Sequence, residues 1–157
     1  MAVDPGFDRL GIAVLKHEEG KEILIHSACI QTNVKNSKSE RLLVIGLGVE
    51  EAIKRFKPGS LAIESLFFNS NTTSALGVAE ARGVAILKAA EAGLPVYEYS
   101  PQAIKIACTG YGRASKLQVA LMVKKLVALP RVPHKRLDDE LDAIALGITH
   151  LASKRGI

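Results

Sequence analysis

The chain has 157 residues, enough for one domain spanning 1–157 with a full hydrophobic core. It is 48% apolar yet has no Trp, three Tyr and four Phe, so that core must be aliphatic. No apolar run reaches the length of a membrane span, and no basic segment followed by an apolar stretch opens the chain. A cytoplasmic protein without membrane contact is therefore expected, with Cys29 and Cys108 as reduced, buried structural thiols. The net charge is +5. Residues 100–137 carry Lys105, Arg113, Lys116, Lys124, Lys125, Arg131, Lys135 and Arg136 with no Asp or Glu, and four acids follow at once in "LDDELD". Such a block suits a polyanionic partner as well as it suits a solvated helix face.

In chain order, a short first run ends near Asp4, before a Pro-Gly break. Residues 10–17 and 22–32 are β-like, and "EEGK" between them predicts a hairpin turn. A helix follows, opened by Ser37 and Glu40 at capping-box spacing. It carries Leu42, Ile45, Val49, Ile53 and Phe56 at helical intervals and stops at Pro58-Gly59. "SLAIE", residues 60–64, is a short buried strand ending in an acid, and "LFFNSNTT" is a loop. An Ala/Gly-rich helix spans 73–92, its small residues Ser74, Gly77, Ala81 and Ala85 suited either to the sheet or to a two-fold dimer contact. "LPVYEY" is a strand, and a short helix starts at Pro101. "TGYGRA" is a glycine loop; Ser115 and Gln118 cap a helix to about Leu129, and "PRVPHKR" is a linker. The last helix runs from near Asp138, the expected N-cap, to about Lys154, with Gly156 as its stop and Glu140 facing solvent. The order β-β-β-α-β-α-β-α-α-α calls for a mixed sheet with helices packed on it.

A charged group at the end of an apolar strand needs a partner. If the first strand and the strand ending at Glu64 are parallel neighbours, Asp4 and Glu64 emerge at the same sheet edge, where open α/β sheets place their sites. Asp139 and Asp142, three apart, project from one helix face. Each acid alone has an ordinary role: Asp4 in a turn, the helix acids in a first turn. Four together repel unless cations neutralise them. Oxygen-only ligands favour Mg2+ or Mn2+, and two such ions can clamp the attacking and leaving oxygens of a phosphodiester. His17, His26 and His150 fall in or beside regular elements and are expected to be structural, while His134 adjoins the basic linker.

"VDPGFDRLG", "AIESLFFNSN", "SALGVAEARGVA", "VYEYSPQAIKIACTGYGRASKLQV" and "DDELDAIALGITH" together resemble the RuvC family of bacterial Holliday-junction resolvases over nearly the whole chain. The resemblance implies an α/β, ribonuclease H-like mixed five-stranded sheet flanked by helices. It implies a homodimeric, Mg2+-dependent endonuclease that nicks paired strands of a four-way DNA junction and works with the RuvA–RuvB branch-migration complex. The family's acidic positions fall on Asp4, Glu64, Asp139 and Asp142, the third of them variable in the family. Its aromatic near the junction centre falls on Phe67, and its basic DNA contacts on Lys105 and Lys116. Arg113 and Tyr111 in the glycine loop join them as candidate DNA contacts, with Phe68 left to the core. The chain starts only three residues before Asp4, so its first strand is expected to be shorter than the family's usual one. The same residues admit three rival readings. One is another ribonuclease H-like nuclease acting on hybrids or overhangs. The second is a junction-binding module without cleavage, which four intact acids disfavour. The third is a sugar-kinase or actin type of phosphate-binding domain, for which the chain is too short.

Overall fold

The computed structural model describes residues 1–66, 72–130 and 136–154, with only the backbone of residues 72–74. Its elements are β1 (Ala2–Asp4), β2 (Arg9–Glu18), β3 (Lys21–Gln31), α1 (Lys38–Phe56), β4 (Leu61–Glu64), α2 (Thr72–Glu91), β5 (Val96–Tyr99), α3 (Pro101–Thr109), α4 (Lys116–Leu126) and α5 (Asp138–Lys154). The sheet order is β3-β2-β1-β4-β5, with the β3-β2-β1 run antiparallel and β1-β4-β5 parallel. This is the mixed sheet that the element order requires.

Local chemistry sets the boundaries. Glu19 and Gly20 both take positive φ, 51° and 77°, the pairing of a primed hairpin turn, which makes β2 and β3 the longest strands. Capping boxes at Ser37–Glu40 and Ser115–Gln118 open α1 and α4. Lys57 closes α1 in the left-handed conformation, because Pro58 cannot continue a helix. Helix α4 ends at Leu126, short of the expected Leu129; Val127 is already extended, and Ala128 makes a bridge to Ile23 instead.

Strand alternation divides the interior. On one face Val3, Leu10, Ile12 and Ile63 meet Ile45, Val49 and Ile53 of α1 and Ala81, Ala85 and Ala89 of α2. Two members of the small-residue stripe of α2, Ala81 and Ala85, are therefore used within the chain, while the Ser74 side chain lies outside the described residues. Ala81 and Ala85 are fully buried, and a Cβ on Gly77 would meet the Phe7 ring at 3.1 Å, which corrects the idea of a dimer contact through these residues. On the opposite face Ala2, Ala13 and Ala62 meet Ala143, Ile144 and Leu146 of α5, with Ile104 and Cys108 of α3 and Val119 and Val123 of α4 beside them. Cys108 is buried as expected, whereas Cys29, on edge strand β3, is only half-buried.

The small side chains beneath α5 let it settle close on the sheet. A Cβ on Gly11 would fall inside the Asp139 carbonyl oxygen and 2.6 Å from its carbon. His150 is structural, accepting or donating to Ser60 Oγ at 2.7 Å and Tyr99 Oη at 2.9 Å, and burial holds its imidazole down to about 4, hence neutral.

Candidate active site

The same alternation builds the site. Ala2 and Ala62 point toward α5, so Asp4 and Glu64, two residues on, point there too, at the C-terminal ends of two hydrogen-bonded parallel strands. Asp139 and Asp142 enter from the first turn of α5 across that edge. Glu64 and Asp142 line one small cleft, about 190 Å³, with Lys105, Lys116, Ile104 and Val119. Asp4 and Glu64 line an adjoining one with Pro5, Ser65 and Leu66. The loop after Asp4 is pinned from α1. Buried Arg41 pairs with Asp8, donates to Thr32 Oγ1 at 2.9 Å and to the Phe7 carbonyl at 3.3 Å, and lies 3.9 Å over the Phe7 ring.

The electrostatics show four acids crowded together. Burial pushes the Asp4 carboxyl up to about 7, and the charges of Asp142, Glu64 and Asp139 add to the effect against Lys116. Burial also raises Glu64, joined by Asp142 and opposed by Lys116 and Lys105. Asp142 is raised by burial and by Asp139, although its bond to Lys116 works the other way. Lys116 Nζ sits 2.7 Å from Asp142 Oδ2; burial lowers its ammonium, but that bond and the surrounding acids outweigh the loss and raise it. Arg9 Nε lies 3.1 Å from Asp139 Oδ2 yet is not aligned to donate, so that buried oxygen has no hydrogen-bond donor among the described residues.

Among the described residues no three His, Cys, Asp or Glu side chains close into a ready-made metal cage. Two of the four acids are instead engaged by cations, Asp139 by Arg9 and Asp142 by Lys116. The donor set itself fits a hard divalent cation. It is all oxygen, its members repel one another, and Asp139 Oδ2 is buried without a donor. If Asp4 is a ligand, metal uptake would have to deprotonate it, so affinity for Mn2+ is expected to climb with pH toward about 7 and then flatten. Calorimetric titration of the DNA-free protein across pH checks this; a flat profile below neutrality removes Asp4 from the ligand set.

Other candidates sort clearly. Tyr111 and Arg113 are exposed on the α3–α4 loop. Phe67, Phe68, His134 and Gly156 lie outside the described residues. Asp138 is the first helical residue rather than the cap: the Leu137 carbonyl accepts from the Glu140 and Leu141 amides. Glu140 does not face solvent. It is buried at 1% exposure and accepts from Ser27 Oγ at 2.9 Å and the Leu137 amide at 3.4 Å, tying the start of α5 to β3. Its position one residue past Asp139 turns it inward over the small residues of β2 and β3. Arg9 and Gly11 carry no motif of their own in the sequence, yet both belong to the site. Both share the α5-facing parity of Ala13, a signal visible once the strand is set in register.

Strand-end carboxylates from a mixed β3-β2-β1-β4-β5 sheet, met by the first turn of a helix laid across it, define the ribonuclease H-like class. Residues 1–150 match the sequence profile of the family described as Crossover junction endodeoxyribonuclease RuvC. A protein of that name from Pelotomaculum thermopropionicum is 44% identical over 150 residues, 96% of this chain and 90% of the relative. One from Ruminiclostridium cellulolyticum is 43% identical over 155 residues, 99% and 92% of the two chains. The solved structure of T. thermophilus RuvC in complex with Holliday junction substrate superposes with a TM-score of 0.89 at 35% identity, covering 98% of this chain and 93% of that one. The chain belongs to the RuvC family.

Proposed function

We propose that this protein is a structure-specific endodeoxyribonuclease that resolves Holliday junctions by paired, symmetric nicks in recombination and repair. The observation that carries the mechanism is the meeting of Asp4, Glu64, Asp139 and Asp142 at one sheet edge beside Lys105 and Lys116. These four acids would hold two Mg2+ ions, with Mn2+ able to substitute, Asp4 being the acid that feels the charge of the other three. Bound there, the ions supply neutralisation of the attacking and leaving oxygens. The protein's own groups position the strand. Lys105 and Lys116 hold the backbone phosphate at the cleft, Arg113 and Tyr111 contact DNA from the α3–α4 loop, and Phe67, three residues past Glu64, stacks on bases unpaired at the junction centre. A synthetic four-way junction, compared with fork, hybrid and duplex in Mg2+, tests the reading. Preferential cutting of the hybrid would favour a different nuclease of the same fold.

Lys105→Ala and Lys116→Ala are each expected to weaken binding to all junction sequences alike and to lower the salt slope by about one. Filter binding across a salt series checks this, and an altered site preference at unchanged slope would assign base contact instead.

Paired nicks across a two-fold junction require two sites at a fixed separation, hence a homodimer. The face that suits a second copy is the outside of the α1–α2 layer, where Leu43, Leu47, Leu76 and Leu87 are exposed together. Sedimentation should give a dimer at micromolar concentration, and Leu47→Glu with Leu87→Glu a monomer. Junctions are delivered by RuvA and RuvB in the bacterial cytoplasm, and no described helix is long and apolar enough to cross a membrane.

A further inference from the structure

Arg9 opens β2 on the strand face that α5 covers, two residues before Gly11. Gly11 has no side chain to hold α5 away, so the Asp139 backbone comes down onto β2 and its carboxylate arrives beside Arg9. The contact is close but misaligned, 3.1 Å from Nε to a buried Oδ2 that receives no hydrogen bond. The Arg9 side chain is 49% exposed, so the guanidinium has open solvent to move into. A misaligned pair with one half-exposed partner is worth little and breaks readily. Asp142 differs, since its cation, Lys116, makes a well-formed 2.7 Å bond.

We propose that Arg9 is the resident counter-cation of the metal site, a positioning residue that holds Asp139 in the metal-free protein and yields that oxygen when a divalent ion binds. The proposal rests on reading the four acids as metal ligands. Arg9 thereby keeps the repelling acids from splaying apart while no ion is present, and it weakens the ion's affinity by competing for one ligand. Freed from Asp139, the half-exposed guanidinium would be available to a DNA phosphate.

Calorimetric titration of Mn2+ into the DNA-free protein tests this. Arg9→Gln should bind Mn2+ about two- to fivefold more tightly than the wild type, the factor expected for losing one half-exposed competing pair. Arg9→Lys, which keeps the charge, should stay near wild type. The gain should persist in about 0.5 M salt, where a remote charge is screened but a contact pair is not. Thermal melts of both variants verify folding. Unchanged or weaker Mn2+ binding by folded Arg9→Gln overturns the proposal, as does a gain that vanishes in salt. If the wild type takes up no Mn2+, or Asp4→Asn takes it up as well as the wild type does, the ligand reading falls first and the proposal with it.

Discussion

Asp4→Asn is expected to bind a four-way junction with near wild-type affinity and to nick it at least ~10³-fold more slowly, more than the loss of one electrostatic donor from a preorganised site. Glu64→Gln and Asp142→Asn should behave alike. Lys105 and Lys116 are untouched, whereas a carboxylate proposed to hold the ions is lost at the position facing all three other acids. Stability should move the opposite way. The Asp4 carboxyl is raised in the folded state, so the native protein keeps a proton that the unfolded chain has lost. The stability contributed by that bound proton is full below the unfolded value and is lost as pH rises to about 7. Above that pH the metal-free wild type carries a buried, repelled anion. Asn removes it, for a gain of at most about 4 kcal/mol, given how buried the group is. The diagnostic pair is therefore a higher melting temperature in chelator at mildly alkaline pH and no rise on adding Mg2+. Near-normal nicking by Asp4→Asn would remove this residue from the chemistry.

Gly11→Ala is the second large effect. A methyl group there meets backbone, not a flexible side-chain end, so relief requires α5 to lift from β2. Overpacking of this kind costs about 1–3 kcal/mol, or a few degrees in melting temperature for a chain of this size. The larger consequence is catalytic. Asp139 and Asp142 ride on the turn that is displaced, and misplacement by about 1 Å can cost ~10²-fold in rate. Cleavage per folded molecule, with folded fraction taken from circular dichroism, should fall by at least that factor while junction binding survives. Wild-type cleavage by a folded Gly11→Ala protein would show that α5 has freedom the packing does not suggest.

What could be seen in the sequence followed from short-range rules. The capping boxes at Ser37 and Ser115, the Glu19–Gly20 turn and the helical spacing of Ile45, Val49 and Ile53 each act within a few residues. The site could be reached because Asp4 and Glu64 end apolar runs, given two long-range assumptions: that those two strands are adjacent and that the last helix crosses their edge. What the sequence hid depends on which side of an element faces which neighbour. Glu140 has the composition of a solvated helix start, and partners such as the Ser27 hydroxyl on β3 and the Leu137 amide make its burial tolerable. Gly77, Ala81 and Ala85 form a stripe that could have served a partner; the Phe7 ring, held by Arg41, takes the place beside Gly77 instead. Arg9 looked like any strand-end cation until α5 was laid over its face.

The central strand is also the shortest of the five, three residues that become a strand only through neighbours brought from elsewhere. The β2–β3 hairpin closes through local contacts, but Ala2 must find Ala62 across the whole of α1, and the acids of α5 arrive from residues 139 and 142. Long loops must close before these contacts form, so the hairpin and single helices precede the catalytic edge along the folding route. On the ribosome, a nascent chain holding Asp4 and Glu64 but not yet α5 would have only half of the proposed ligand set, so nuclease competence would await the docking of α5.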